Sequence, residues 1–144
     1  SYFDELDQLL KRELAKKYDV VIHAAAVSDY KLSKPFTRKI DSKKNRLKLE
    51  LIPTKKMING IKKVNPKAKL VGFKLESSLT KSKAKTLASE MIKTTDCDFV
   101  IANTVSDDKY NGYIIDKTCN IVDYKNSRQK ICSSLIKTLE KLYK

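Results

Sequence analysis

Residues able to do chemistry are few in this chain, and the most suggestive group lies in one octapeptide, His23-Ala-Ala-Ala-Val-Ser-Asp-Tyr30. It follows Asp19-Val-Val-Ile22, a short apolar run flanked by charge that reads as a buried parallel strand. Small alanines allow a ligand to approach the backbone closely. In open α/β sheets, ligands bind just beyond the carboxyl ends of the strands. Asp29 at that place is suited to hold a divalent cation, which in turn holds phosphates. The same residues also fit a blander account, with tight packing at the alanines and a turn capped by Asp29. His23 is the only histidine. Inside a strand pattern it is either a satisfied core residue or a base, and its backbone is placed to line a ligand.

The elements that must position these residues follow from periodicity. Phe3, Leu6, Leu9, Leu10 and Leu14 are spaced for a helix over residues 2–17, with Ser1 or Asp4 as its cap. The first strand covers Asp19 to Ala25. No strand precedes the helix, so the first part of the sheet is expected to lie upstream. Residues 31–46 form a long basic loop, either a phosphate-gripping flap or a solvated charge run. Leu47 to Ile52 alternates as a half-exposed strand. Thr54 is placed to cap a helix carrying Met57, Ile58, Ile61 and Val64 on one face, which Asn65-Pro66 stops. Lys69 to Leu75 is a strand whose Gly72 suggests a close backbone approach. Glu76 to Thr95 is helical. Asp98 to Ala102 is a buried strand ending in Asn103. Gly112 to Ile115 and Asn120 to Tyr124 form a hairpin, and Ser127 caps a last helix. This order describes a mainly parallel α/β sheet with an antiparallel addition. Three strand ends, Ala25 to Asp29, Phe73 to Glu76, and Asn103, should converge on one rim.

Composition bounds the partners. Lys plus Arg number 31 against 17 Asp plus Glu, a formal charge of +14, which favours anionic ligands. Only Arg12, Arg38, Arg46 and Arg128 are arginines, and the lysines are spread along the chain. There is no basic stripe interleaved with aromatics, no helix-turn-helix pattern and no Gly-x-Gly-x-x-Gly. Cys97, Cys119 and Cys132 lack metal-ligand spacing and suit a reducing cytoplasm. No run is long enough to span a membrane.

Six pieces in order carry a resemblance: Ala24-Ala-Ala-Val-Ser-Asp-Tyr30, Lys39-Ile40-x-Ser42, Leu49-x-Leu-x-Pro53, Asn65-Pro-Lys67, Gly72-Phe-Lys-Leu-Glu76 and Asp98-Phe-Val-Ile-Ala-Asn103. With them the chain resembles the carboxyl-terminal two-thirds of a phosphopantothenate–cysteine ligase (phosphopantothenoylcysteine synthetase), the ligase domain of the DNA/pantothenate metabolism flavoprotein family. The resemblance implies a Rossmann-like fold with helices on both faces and an antiparallel extension used for dimerisation. It also implies that residues 1–144 are one amino-terminally truncated domain in a cytoplasmic homodimer. The implied activity joins 4′-phosphopantothenate to cysteine through an acyl-nucleotide, in coenzyme A biosynthesis. ATP or CTP is co-substrate with Mg²⁺, and no flavin is implied for this chain.

By position in those motifs, Lys39 is the implied catalytic residue and also contacts nucleotide phosphate. His23, Ala24, Ala25, Asp29, Pro53, Thr54 and Phe73 would bind nucleotide, with Asp29 the metal-bearing carboxylate. Asn103 would wall the substrate. Ile52-Pro-Thr-Lys55 and Gly72-Phe-Lys-Leu-Glu76 depart from the common bacterial Asn-Pro-Asp-Ile and Gly-Phe-Ala-Ala-Glu, which leans the nucleotide choice towards ATP. The family's Gly-rich turn and Asn-containing segment have no counterpart in this sequence. The alternative is a basic nucleic-acid or polyanion-binding module without catalysis; the ligase reading expects neither nucleic acid nor membrane as partner.

Overall fold

The computed structural model describes residues 2–40, 45–106 and 109–144. In chain order the elements are α1 (Tyr2–Leu14), β1 (Val20–His23), β2 (Tyr30–Leu32), β3 (Leu51–Pro53), α2 (Ile58–Val64), β4 (Lys69–Glu76), α3 (Lys81–Thr95), β5 (Phe99–Ser106), β6 (Lys109–Asp116), β7 (Ile121–Lys125) and α4 (Arg128–Glu140). The main sheet has the order β1-β4-β5-β6-β7. β1, β4 and β5 are parallel, and β6 and β7 add antiparallel. A separate two-stranded ribbon joins β2 to β3. This is the mainly parallel α/β sheet with an antiparallel addition that the pattern predicts.

Two apolar clusters sandwich the sheet. On one face Leu14 of α1, Ile58 and Ile61 of α2, and Ala84 and Ala88 of α3 pack on Leu70, Val100, Ala102 and Ile115. On the other, Ile131, Leu135 and Leu139 of α4 cover Val71, Phe99, Ile101 and Ile114. Helices therefore lie on both faces. The alternation along β4 and β5 delivers successive residues to opposite clusters, which is why their central residues are buried on both sides.

Several boundaries differ from the sequence reading, each for a physical reason. The first strand is shorter, and it is a sheet edge rather than a buried strand, so Ile22 is 44% exposed. Leu47 to Glu50 is not strand, because β2 supplies only three partners for β3. Thr54 does not cap α2. That helix begins at Ile58 with no side-chain cap, and Val64 is exposed. The third helix starts at Lys81, capped by Thr80, because Lys69–Glu76 stays in the sheet. β5 continues through Asn103 to Ser106 because β6 pairs with its whole length. Ser1, one proposed cap for α1, lies outside the described residues, as do Ser42 and the rest of residues 41–44.

Candidate functional site

The main sheet has a step in it, and the step makes the cleft. β1 stops at His23, which pairs with Gly72. β4 and β5 run on together, with Phe73 opposite Ile101 and Leu75 opposite Asn103. Beyond His23 the chain leaves the sheet through residues 24–29, and the segment entering α2 closes the opposite wall. The resulting cleft, about 470 Å³, is lined by His23 to Asp29, Thr54 to Ile58, Phe73 to Leu75, Met91 and Asn103.

Gly72, paired with His23 at the strand end, makes room beside the cleft by having no side chain. A Cβ there would lie 2.7 Å from Met91 Sδ, 3.0 Å from Cys97 Sγ and 3.2 Å from Ile58 Cδ1. The close approach expected at this glycine is therefore to α2 and α3, which lets Met91 and Ile58 reach the cleft. The alanine-rich wall is held by hydrogen bonds to its neighbours. Ser28 Oγ donates to the carbonyl of Tyr30 at 2.7 Å. The Thr54 amide donates to the Asp29 carbonyl at 2.8 Å, and the Thr54 hydroxyl donates to the Ser28 carbonyl. Thr54 therefore clamps the two walls together, which explains why it caps nothing. Ser28, not Asp29, closes the turn. The Asp29 carboxylate is left at the rim, 64% exposed, in an ion pair with Lys56.

Electrostatics around the cleft are cationic. The Lys56 hydrogen bond and charge, with a smaller contribution from Lys74, hold the Asp29 carboxyl below the ordinary aspartate range. Lys83, at 3.0 Å, does the same for Glu76, helped by Lys74. Burial lowers the pKa of His23, so at neutral pH it is an uncharged imidazole. No cluster of three or more His, Cys, Asp or Glu side chains exists among the described residues. Asp29 alone suits a Mg²⁺ ion that keeps its waters and is shared with phosphates, but it is not a self-sufficient cage.

The structure thus gathers His23, Ala24, Ala25, Asp29, Thr54, Phe73 and Asn103 at one cleft. Asn103 lies within a strand instead of at its end, yet still faces the cleft. Pro53 ends β3 next to the lining residue Thr54. Lys39 is exposed on the arm between β2 and β3 and is not among the lining residues. Lys55, Lys56 and Lys74 line the cleft and were not singled out from sequence. Lys55 and Lys74 fall inside the Ile52-Pro-Thr-Lys55 and Gly72-Phe-Lys-Leu-Glu76 motifs, but nothing local marks which lysine faces inward.

Comparison with known proteins agrees with this architecture. A coenzyme A biosynthesis bifunctional protein CoaBC from Thermococcus kodakarensis is 41% identical over 103 residues, covering 71% of this chain. The chain spans only 25% of that relative's length. The crystal structure of the DNA/pantothenate metabolism flavoprotein from Streptococcus pneumoniae superposes with a TM-score of 0.81 at 23% identity, over 96% of this chain and 69% of that one. A Cab2 mutant in complex with phosphopantothenate-cysteine gives a TM-score of 0.61 at 21% identity, over 82% and 43% respectively. These two structural likenesses speak to the fold. The family model for the DNA/pantothenate metabolism flavoprotein C-terminal domain matches residues 4–142. With almost the whole chain inside that match, the protein belongs to the DNA/pantothenate metabolism flavoprotein C-terminal domain family.

Proposed function

We propose that this chain is the ligase portion of a phosphopantothenate–cysteine ligase acting in coenzyme A biosynthesis. The observation that carries the proposal is the cleft into which the stepped sheet brings the alanine strand end, Asp29, Thr54, Phe73 and Asn103. Family membership, the CoaBC relative and the product held by the Cab2 fold neighbour support it.

In this reading a carboxylate oxygen of 4′-phosphopantothenate attacks the α-phosphorus of a nucleoside triphosphate, and pyrophosphate leaves. The amine of cysteine then attacks the acyl carbon. The nucleoside monophosphate departs, and the amine loses a proton as the amide forms. Charge builds on oxygen in both steps, so fixed cations and aimed donors should dominate catalysis. Lys39 supplies such a cation from the arm between β2 and β3. Ala24 and Ala25 leave room for the nucleotide against the backbone. Phe73 offers its ring to the nucleoside, and Pro53 and Thr54 contact base or ribose. Neutral His23 lines the nucleotide without adding charge. Asn103 contacts the acyl substrate. Asp29 would hold Mg²⁺, which supplies charge neutralisation on the triphosphate. ATP is favoured over CTP.

A homodimer is part of the same proposal, built on the exposed apolar side chains of the β2–β3 arm. So is a cytoplasmic setting, which the free Cys97, Cys119 and Cys132 suit. No described helix is long and apolar enough to cross a membrane.

The test is a mass-spectrometric assay with 4′-phosphopantothenate, cysteine and Mg²⁺, run in parallel with ATP and CTP. Phosphopantothenoylcysteine from the wild type, and none from Lys39→Ala, is the expected result. No product with either nucleotide, even after the upstream coding sequence is added, would overturn the assignment.

A further inference from the structure

Among the lysines lining the cleft, Lys56 is the one ion-paired to Asp29. It comes from the segment entering α2, 27 residues from Asp29, and its Nζ pairs with Asp29 Oδ1. The two backbones are fixed relative to each other by the Thr54 amide and hydroxyl bonds to Asp29 and Ser28. The pair is therefore preorganised, although both side chains are more than half exposed. Lys56 also lines a second concavity between α2 and α3, together with Lys74, so its long side chain has open space on two sides. Lys74 lines both concavities as well.

A lysine salt-bridged to Asp29, the only carboxylate among the described residues lining the cleft, competes with a divalent cation for that carboxylate. Its ammonium occupies Oδ1 and repels a second cation, so coordination of a metal by the carboxylate favours its displacement. Once displaced it remains within side-chain reach of whatever phosphates the metal holds. We propose that Lys56 is the resident counter-ion of Asp29, exchanged for the divalent cation that arrives with a nucleoside triphosphate and then turned onto its phosphates. This rests on the nucleotide-dependent reading above, and it makes Lys56 a positioning residue for Asp29 and a binding residue for the triphosphate. The exchange keeps the empty cleft from binding the metal alone. It makes metal and nucleotide arrive together, since the triphosphate takes over the lysine's charge.

The experiment compares the full chain with Lys56→Met and Lys56→Arg. Paramagnetic broadening of the residue 28–30 amides by Mn²⁺ alone reports the metal at Asp29. Titration with Mg²⁺–ATP and with ATP alone reports the nucleotide. Melting curves confirm that the variants fold. Lys56→Met should bind Mn²⁺ alone about 2- to 5-fold more tightly, the scale of losing one exposed ion pair. It should bind Mg²⁺–ATP about 10-fold more weakly, and Lys56→Arg should restore both values. A merely structural lysine would weaken both ligands together or neither, and either result overturns the proposal. If the wild type binds no nucleotide but Lys56→Met still gains Mn²⁺ affinity, the nucleotide reading fails and the counter-ion role of Lys56 stands. If nucleotide binds normally in every variant and Mn²⁺ binding does not move, the counter-ion proposal fails and the ligase reading survives.

Discussion

At the scale of single residues, the cleft depends on one missing side chain and one distant cation. Gly72 sits under the His23 strand end with Met91, Cys97 and Ile58 packed where its Cβ would be. Met91 can swing, because its thioether is flexible. Cys97 is fully buried and cannot. Gly72→Ala should therefore cost about 1–3 kcal/mol, the usual penalty for overpacking. It should also push Met91 into the cleft and weaken nucleotide binding. Urea denaturation measures the first effect and nucleotide titration the second; an unchanged midpoint would show that the core has slack the packing does not reveal. Lys39 is the opposite case, because it is exposed and makes no side-chain hydrogen bond or ion pair with another described residue. Lys39→Ala should leave the melting curve unmoved while turnover falls roughly 10²-fold or more, the scale for losing one transition-state donor. A variant that keeps full turnover would remove Lys39 from the chemistry.

At the scale of elements, the sheet is anchored at the end remote from the cleft by Asp98. Its carboxylate accepts from the Leu70 amide at 2.9 Å and pairs with Lys62 at 2.6 Å and Lys69 at 3.3 Å. It thus ties β5 to β4 and to α2. Burial alone would raise its pKa, but the lysines and the amide outweigh burial and hold it below the ordinary value. A carboxylate depressed in the folded state contributes stability that is present above its unfolded pKa. That contribution is lost as pH falls through the folded value. Asp98→Asn leaves a largely buried Lys62 unpaired and should cost about 3 kcal/mol at neutral pH. The gap between wild type and variant should narrow below about pH 4, where the unfolded aspartate protonates. Chemical denaturation at pH 7 and pH 3 reads both; a pH-independent gap would place the anchor elsewhere.

The same elements mark how far the sequence could be read. The Val20–His23, Lys69–Glu76 and Phe99–Ser106 strands were legible in their apolar parts, as was the α4 cap at Ser127, a local hydroxyl–amide bond; the α3 cap at Thr80 is equally local but was missed, because the helix was read from Glu76. The outer half of β5, from Asn103, has Val105 as its one apolar residue; it is strand because β6, the next element in the chain, pairs antiparallel with it, Asn103 opposite Gly112 and Ser106 opposite Lys109. Thr54 has the look of a cap, but its hydrogen bonds go to residues 28 and 29, across the cleft. The Asp29–Lys56 pair is likewise tertiary and leaves no trace in spacing. The motif residues at the cleft were readable, but the lysines that set its field were not.

At the scale of the whole molecule, net charge and the apolar arm pull in opposite directions, and salt separates them. Leu47, Leu49 and Leu51 are 45%, 52% and 53% exposed along the arm leading from β2 into β3, and Tyr30 and Ile52 are exposed on the β2–β3 ribbon. Large apolar side chains left in water on one short segment favour a partner that covers them. If the proposed homodimer forms through the arm, the wild type should give twice the chain mass in light scattering and Leu49→Glu with Leu51→Lys should give a monomer. Two copies at +14 each repel, so the dimer should tighten as salt is added and the repulsion is screened. Nucleotide binding at the cationic cleft should weaken over the same range, because there salt screens an attraction. Measuring both between 50 mM and 500 mM NaCl gives slopes of opposite sign if the arm is an apolar interface and the cleft an anion site. A dimer that dissociates with salt would instead be held by charge, and the interface would have to be sought among the acidic residues facing Lys-rich surface, away from the leucines of the arm.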